Sequence, residues 1–432
     1  MLFIAKFFTT NGDSYGGGSR VTGQRNPGVG GSNWLIGLGA KAAIGLGVVY
    51  QIVVEQKLLL HTFLGRRETG HRTTPPPVGF WNVLVVKSVL FLRQVTGRHD
   101  MFDTFLMSTY ERMRRNLEAE RWPQGAVLEI PTYTPDDITP REFYRRHVKT
   151  GIPAVIRNMG HPDQDRWNLD FVADKFPELK TQVLDRSVYR VITDDLPALV
   201  SRIKEGKVKP FQAALGEREA RYFSMGRFDA YFGVWGKLFG SIATYLILGR
   251  KQGVNAPMHC EAGLNWYFEV SGTRRWTLVD AEYSWFLYPS SAGTGMRRFS
   301  EYLPDAEGNP ADAKKYSLVK YAPRYEFELH PGDVLLHPAW MWHKTIGLED
   351  HCLGIRYNFL SPTPMPHRYF RFLQIISPEF WKLSATYVAS MLGDPVESER
   401  AKASTAYNDC EVPLWQKVDE QTQTTKQGVS VG

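Results

Sequence analysis

The sequence predicts a mainly β domain, an antiparallel sandwich or barrel, with helices on its N- and C-terminal sides. Three observations carry this. Beyond about residue 240, apolar and aromatic runs of strand length recur: ATYLILG from 243, LNWYFEVSG from 264, RWTLVD from 275, YEFEL from 325, GDVLLHP from 332 and HCLGIRYNF from 351. Turn-forming Gly, Pro and Asp residues separate them at short intervals, as in hairpin-connected strands. On either side the apolar spacing changes to that of helices.

Taken in order, residues 1–33 form a flexible tail, whose Gly-, Ser- and Asn-rich part at 10–33 has almost nothing to bury. WLIGLGAKAAIGLGVVYQIVV, residues 34–54, has about the length of a membrane span but carries Lys41 and several glycines. It is either a membrane anchor or a Gly-rich helix packed on the protein. Basic residues flank it on both sides, so the sequence gives no orientation. Residues 55–128 form a helical region ahead of the main domain. TPPP at 74–77 breaks the chain, 78–95 has the pattern of a mostly apolar helix, and 100–120 that of an amphipathic one. From Glu129 the texture changes. ITPREFYRRHVKTGIPAVIRNMG, 138–160, predicts a capped helix, a Gly-Ile-Pro turn and a strand at Ala154–Ile156. Helical patterns run on to about residue 240, where the strands begin. After Pro362 the chain returns to helix over 366–392 and ends in a polar tail.

A chain of 432 residues can bury a large core, and its net charge of +7 is a modest bias for that length. No basic stripe or reader finger accompanies the β region, so a nucleic-acid role is unsupported. Cys260, Cys352 and Cys410 form no CxxC pair, which excludes a disulfide scaffold and argues against structural zinc.

The chemistry concentrates in two segments. In MHCEAGLNWYFEVSGTRRW, 258–276, His259 and Glu261 lie at i and i+2 of a strand and so point to one side, while Cys260 points to the other. A third ligand must come from elsewhere, and HPGDVLLHPAWMWHKTIGLE, 330–349, offers His330, His337 and His343, with His351 just beyond. Two imidazoles and one carboxylate on one face of a metal form the facial triad of non-haem Fe(II) oxygenases, whose remaining positions stay open.

Together these residues resemble the JmjC-type cupin hydroxylases, specifically the cupin-8 branch, which contains an asparaginyl hydroxylase. That branch shows a strand-borne H-x-D/E, an aromatic strand, a G-x-K turn, then G-D-V-L-x-x-P-x-x-W-W-H and a closing N-F. Here these are His259-Cys260-Glu261, Gly272-Thr273-Arg274, Gly332 to His343, and Asn358-Phe359. The resemblance covers about residues 129–362, including IPAVIRN. It implies a double-stranded β-helix of the cupin or jelly-roll kind. It makes His259, Glu261 and His343 the metal-binding and catalytic residues, and it implies Fe(II), O2 and 2-oxoglutarate as co-substrate.

By resemblance the far carboxylate of 2-oxoglutarate needs a cation at the G-x-K position, here Arg274 in place of lysine. A guanidinium can grip a carboxylate through two parallel hydrogen bonds. Strand parity puts Arg274, Trp276 and Leu278 on one face and Arg275 and Thr277 on the other. Asn265, Tyr267 and Asn358 match positions that line the co-substrate pocket. Ala256 stands where the family often has threonine, and Tyr245 is either a replacement donor or a packed aromatic. His337 is a pocket or surface residue, and His330 and His351 are structural. The implied reaction is hydroxylation of a substrate carbon, most readily on a protein side chain, coupled to decarboxylation of 2-oxoglutarate. The alternatives are an inactive cupin that only binds, or a cupin using another metal for other chemistry. The expected partners are a protein or peptide substrate, a second copy of the chain joined through the C-terminal helices, and a membrane reached through the N-terminal region. The chain is expected to be membrane-anchored if 34–54 spans a bilayer and intracellular otherwise.

Overall fold

The computed structural model describes residues 76–377, apart from 186–189, 206–211, 216–221, 224–227, 233–242, 252–253, 291–296, 360–367 and isolated positions at 97, 99, 162, 250 and 306. All of these belong to one compact unit, Leu60–Gly432. The expected tail, the 34–54 segment and everything after residue 377 lie outside the described residues. Among the described residues no helix is long and apolar enough to cross a membrane.

The helices are α1 (Phe80–Thr96), α2 (Asp103–Ala119), α3 (Pro140–Phe143), α4 (Leu169–Lys175), α5 (Leu196–Lys204) and α6 (Arg368–Ile376). The strands are β1 (Val127–Leu128), β2 (Thr132–Tyr133), β3 (Ala154–Ile156), β4 (Lys180–Asp185), β5 (Arg190–Asp195), β6 (Gln212–Leu215), β7 (Ala243–Gly249) and β8 (Val254–Glu261). They continue with β9 (Leu264–Ser271), β10 (Arg274–Val279), β11 (Arg297–Phe299), β12 (Arg324–Leu329), β13 (Val334–His337), β14 (Trp342–Gly347) and β15 (Cys352–Phe359). One sheet runs β1-β12-β10-β14-β8-β11 and the other β2-β3-β13-β9-β15-β7-β6. The molecule is mainly β with flanking helices, as a cupin jelly roll requires, and every strand expected beyond residue 240 is present.

The helices start where their sequences supply a cap. Thr139 accepts from the Glu142 N–H with Pro140 following, Asn168 accepts from Phe171 N–H, and Asp195 accepts from Ala198 N–H. One expectation fails between residues 160 and 240. The helical pattern is interrupted by the β4–β5 hairpin, which pairs Val183 with Ile192 and Leu184 with Val191, and by β6, which pairs with β7. The apolar runs in KTQVLD and RVITDD are two residues long, too short to distinguish a period of two from one of 3.6.

Three apolar layers follow from strand parity. Trp266, Phe268, Val270, Leu353, Ile355 and Tyr357 turn outward beneath α3, α4 and α5. Met258, Cys260, Val279 and Trp342 turn outward from the other sheet beneath α1, α2 and α6. Between the sheets lie Tyr267, Trp276, Leu278, Leu335 and Met341. Arg93 ties the first helical pair to the barrel. It is fully buried, donates to the Met101 carbonyl at 2.8 Å and to Glu301 at 3.0 Å, and is ion-paired with Asp103. The described part of the C-terminal helical region, α6, buries Tyr369, Phe370 and Leu373 against its own chain, and Phe372 stacks on Phe91 of α1 at 5.9 Å.

Candidate metal centre

β8 and β14 are antiparallel neighbours, and their register sets His259 directly opposite His343. The pairing is irregular immediately after His343. The two imidazole centroids are 4.0 Å apart. Glu261, two residues along β8, turns to the same side. One potential ligand atom from each of His259, Glu261 and His343 lies within 4.8 Å of the others, and all three residues are buried.

Backbone carbonyls fix the two imidazoles. Nδ1 of His259 lies 2.7 Å from the Pro257 carbonyl, and Nδ1 of His343 lies 3.3 Å from that of Met341. Each Nδ1 therefore carries the proton, and each Nε2 keeps its lone pair for a ligand role, the usual arrangement around metal-binding histidine. Burial, with His259 and His337 nearby, holds the His343 imidazole well below its ordinary range, so it is neutral at physiological pH. Two imidazole nitrogens and a carboxylate fit a divalent first-row metal.

Glu261 is held from behind. Asn265 donates to its Oε1 at 2.7 Å, and Arg356 Nη1 approaches Oε1 at 2.9 Å and Oε2 at 3.2 Å. Arg356 is buried and its guanidinium lies 4.5 Å from the Tyr245 ring centroid. Tyr245 thus lies against this cation. The Asn265 amide also lies 3.3 Å from His337 Nδ1, which makes that nitrogen an acceptor and places the His337 proton on Nε2. His337 is fully enclosed, its ring 4.1 Å from that of His343, and burial lowers it to about 4.

The remaining expected residues line the same interior. Asn358 stands opposite Asn265 and Arg356 opposite Tyr267 across β9 and β15. Gly354 and Gly263 make room for two of them. A Cβ at Gly354 would come to 1.9 Å of the Tyr267 hydroxyl, and one at Gly263 to 2.2 Å of Asn358 Oδ1. His330 and His351 are exposed.

Arg274 faces this interior with Trp276 and Leu278, while Arg275 is exposed beside Glu328. It donates from Nη2 to the Ile247 carbonyl at 2.9 Å, linking the two sheets. Leu278 stands opposite His343, so Arg274 lies four residues, or about 13 Å, further along β10. Its Nε is 3.2 Å from Oε1 of Glu269, and both side chains are essentially without solvent exposure. Glu269 follows Tyr267 on the inner face of β9. The cation expected to hold the far carboxylate of a diacid thus already faces a carboxyl group of the protein.

Several polar atoms of this interior are buried and make no hydrogen bond to the described residues: Asn265 Oδ1, Tyr267 Oη, Trp276 Nε1 and His337 Nε2. A packed core leaves few such groups, and their concentration behind the triad fits a chamber for a small polar ligand. Sequence reasoning did not single out Arg356 or Glu269. The signal for both is parity, since each lies two residues from a residue already placed on an inner face.

Residues 174–363 match the family model of the cupin-like domain. The chain is also 34% identical over 104 residues to HSPB1-associated protein 1 of Homo sapiens, covering 24% of this chain and 21% of that protein. The Rattus norvegicus protein of the same name is 33% identical over the same length. The chain thus spans about a fifth of the length of the curated relatives it matches.

Proposed function

We propose that this chain, which carries a cupin-like domain over residues 174–363, is an Fe(II)-dependent oxygenase that uses a 2-oxo acid to hydroxylate a carbon of a protein substrate. The observation that supports this best is the convergence of His259, Glu261 and His343 within 4.8 Å, backed by unpartnered polar atoms in the same interior. Bound there, iron would supply activation of oxygen against the 2-oxo acid. The protein's own contribution is positional. The Pro257 and Met341 carbonyls hold the imidazoles in the metal-binding tautomer, and Asn265 and Arg356 hold the carboxylate. Trp276 and Tyr267 make the chamber dry. A protein substrate is the preferred class because the relatives are named for association with the protein HSPB1. Membrane attachment and self-association remain expectations, to be tested by membrane flotation and light scattering.

The test is metal binding followed by turnover. His259→Ala or His343→Ala should weaken Mn(II) binding by about 100-fold or more. Either change should also abolish carbon dioxide release from a 2-oxo acid and any substrate mass gain of about 16 Da, one oxygen. Turnover that survives loss of either histidine would overturn the assignment. A second reading, a barrel that binds metal without turnover, is favoured by one observation: Arg274 and Arg356 each already face a carboxyl group of the chain. Metal binding with no 2-oxo acid binding would select it.

A further inference from the structure

The position of the Glu269 carboxyl, facing Arg274, conflicts with the proposed co-substrate. The carboxyl is fully enclosed, and among the described residues neither of its oxygens has a well-aligned hydrogen-bond donor. Its contact with Arg274 at 3.2 Å is a close charge contact that lies off the hydrogen-bonding line. The remaining donor of that guanidinium with a partner, Nη2, is committed to the Ile247 carbonyl. A ligand carboxylate arriving at Arg274 would meet Glu269 at close range in a medium that screens like charges poorly. A contact so poorly aligned is also the kind that an incoming anion can displace.

Resting on the oxygenase reading, we propose that Glu269 is a built-in competitor for Arg274. A 2-oxo diacid then seats its far carboxylate there only when Glu269 gives up its charge, whereas a 2-oxo acid with an uncharged tail binds without that condition. Glu269 thus sets which oxo acids the centre accepts and couples diacid binding to uptake of one proton.

The surroundings of Glu269 support the coupling. Burial pushes its carboxyl up to about 8, against the pull of Arg274, and Asp333 and Glu349 push the same way. The other titratable groups around the Arg274 guanidinium are the Tyr267 phenol, held well above its ordinary range, and the Cys352 thiol, also raised. Both are held in their neutral forms to higher pH than usual, whereas the Glu269 carboxyl changes charge near pH 8. A ligand carboxylate beside it would raise its affinity for the proton further.

The experiment uses the full chain loaded with Mn(II), which binds without turnover, and follows 2-oxoglutarate and 2-oxobutyrate by calorimetry between pH 6.5 and 9.5. In the wild type, affinity for 2-oxoglutarate should fall towards ten-fold per pH unit above about 8, the limit for one linked proton, while affinity for 2-oxobutyrate stays flat. Glu269→Gln should abolish that slope and raise the preference for the diacid at pH 9 by about ten-fold or more. If the variant fails to fold, the wild-type comparison of the two acids decides alone. Equal pH profiles for the two acids, or an unchanged profile in the variant, overturn the role of Glu269 and leave the oxygenase reading standing. Binding of neither acid to Mn(II)-loaded protein overturns both.

Discussion

Glu261 serves two functions that a pair of substitutions separates. It is a candidate ligand, and its carboxylate takes Arg356 Nη1 at 2.9 Å and 3.2 Å and Asn265 Nδ2 at 2.7 Å. Arg356 is buried beneath it. Removing one partner of a buried ion pair costs about 3–5 kcal/mol, because the surviving charge keeps its desolvation penalty without the compensating attraction. Asn265 adds little, since its amide keeps the contact with His337. Glu261→Leu and Arg356→Met should therefore each lower the stability of the metal-free protein by about 3–5 kcal/mol in urea unfolding followed by tryptophan fluorescence. The double variant replaces the pair by apolar groups and should lose much less than the sum, with a coupling of about 2–3 kcal/mol. It should nonetheless fail to bind Mn(II). In the wild type, Mn(II) at 100 times its dissociation constant should add about 2.7 kcal/mol, and neither Glu261 variant should show this gain. Single losses below about 1 kcal/mol, or strict additivity in the double variant, would refute the pairing as an energetic unit.

Three further outcomes are expected. Gly354→Ala sets a Cβ within 1.9 Å of the Tyr267 hydroxyl and should destabilise the fold by about 1–3 kcal/mol in thermal melts, with partial recovery when Tyr267 is also changed to Leu. Arg93→Ala removes the contacts from α1 to Asp103, Met101 and Glu301, and should cost about 2–3 kcal/mol while making the α1–α2 connection more sensitive to limited proteolysis. Glu269 has a folded pKa of about 8, above its unfolded value, so the folded state holds a proton that the unfolded chain releases. Its contribution is complete below about pH 4.5 and is lost as pH rises towards 8, at up to about 1.4 kcal/mol per unit. Denaturant titrations across that window should show this slope flattened in Glu269→Gln.

The barrel was legible because its strands announce themselves twice, by aromatic and β-branched runs and by turns between them. The triad was legible for a related reason. His259 and Glu261 are two residues apart on one strand, and Pro338 with the Trp340–Trp342 segment delivers His343 from an apolar setting. The β4–β5 hairpin was not legible, since its apolar pairs, Val183–Leu184 against Ile192–Val191, carry meaning only once the two strands face each other. Arg356 and Glu269 lie between these extremes. The parity that places Asn358 also places Arg356, and the parity that places Tyr267 also places Glu269. Sequence cannot show that each would have an oppositely charged group within reach, because those partners come from other strands: Glu261 on β8 for Arg356, and Arg274 on β10 for Glu269.

That arrangement of charge implies an order of binding. Without metal, the buried charges of Arg356 and Glu261 neutralise one another. A divalent ion at His259, Glu261 and His343 would add two positive charges beside that pair. Glu261 would then face both the metal and Arg356, leaving the chamber with an excess of positive charge that an oxo-acid anion can balance. Before the metal arrives there is no such excess at the triad itself, and an anion entering there would meet Glu261 already paired. Oxo acids should therefore bind only after the metal. Calorimetry of metal-free protein should show no uptake of 2-oxobutyrate, and the same titration after Mn(II) loading should show one site. Equal affinity in the two states would mean that the anion is held by Arg356 or Arg274 independently of the triad, and that metal and oxo acid do not share one centre.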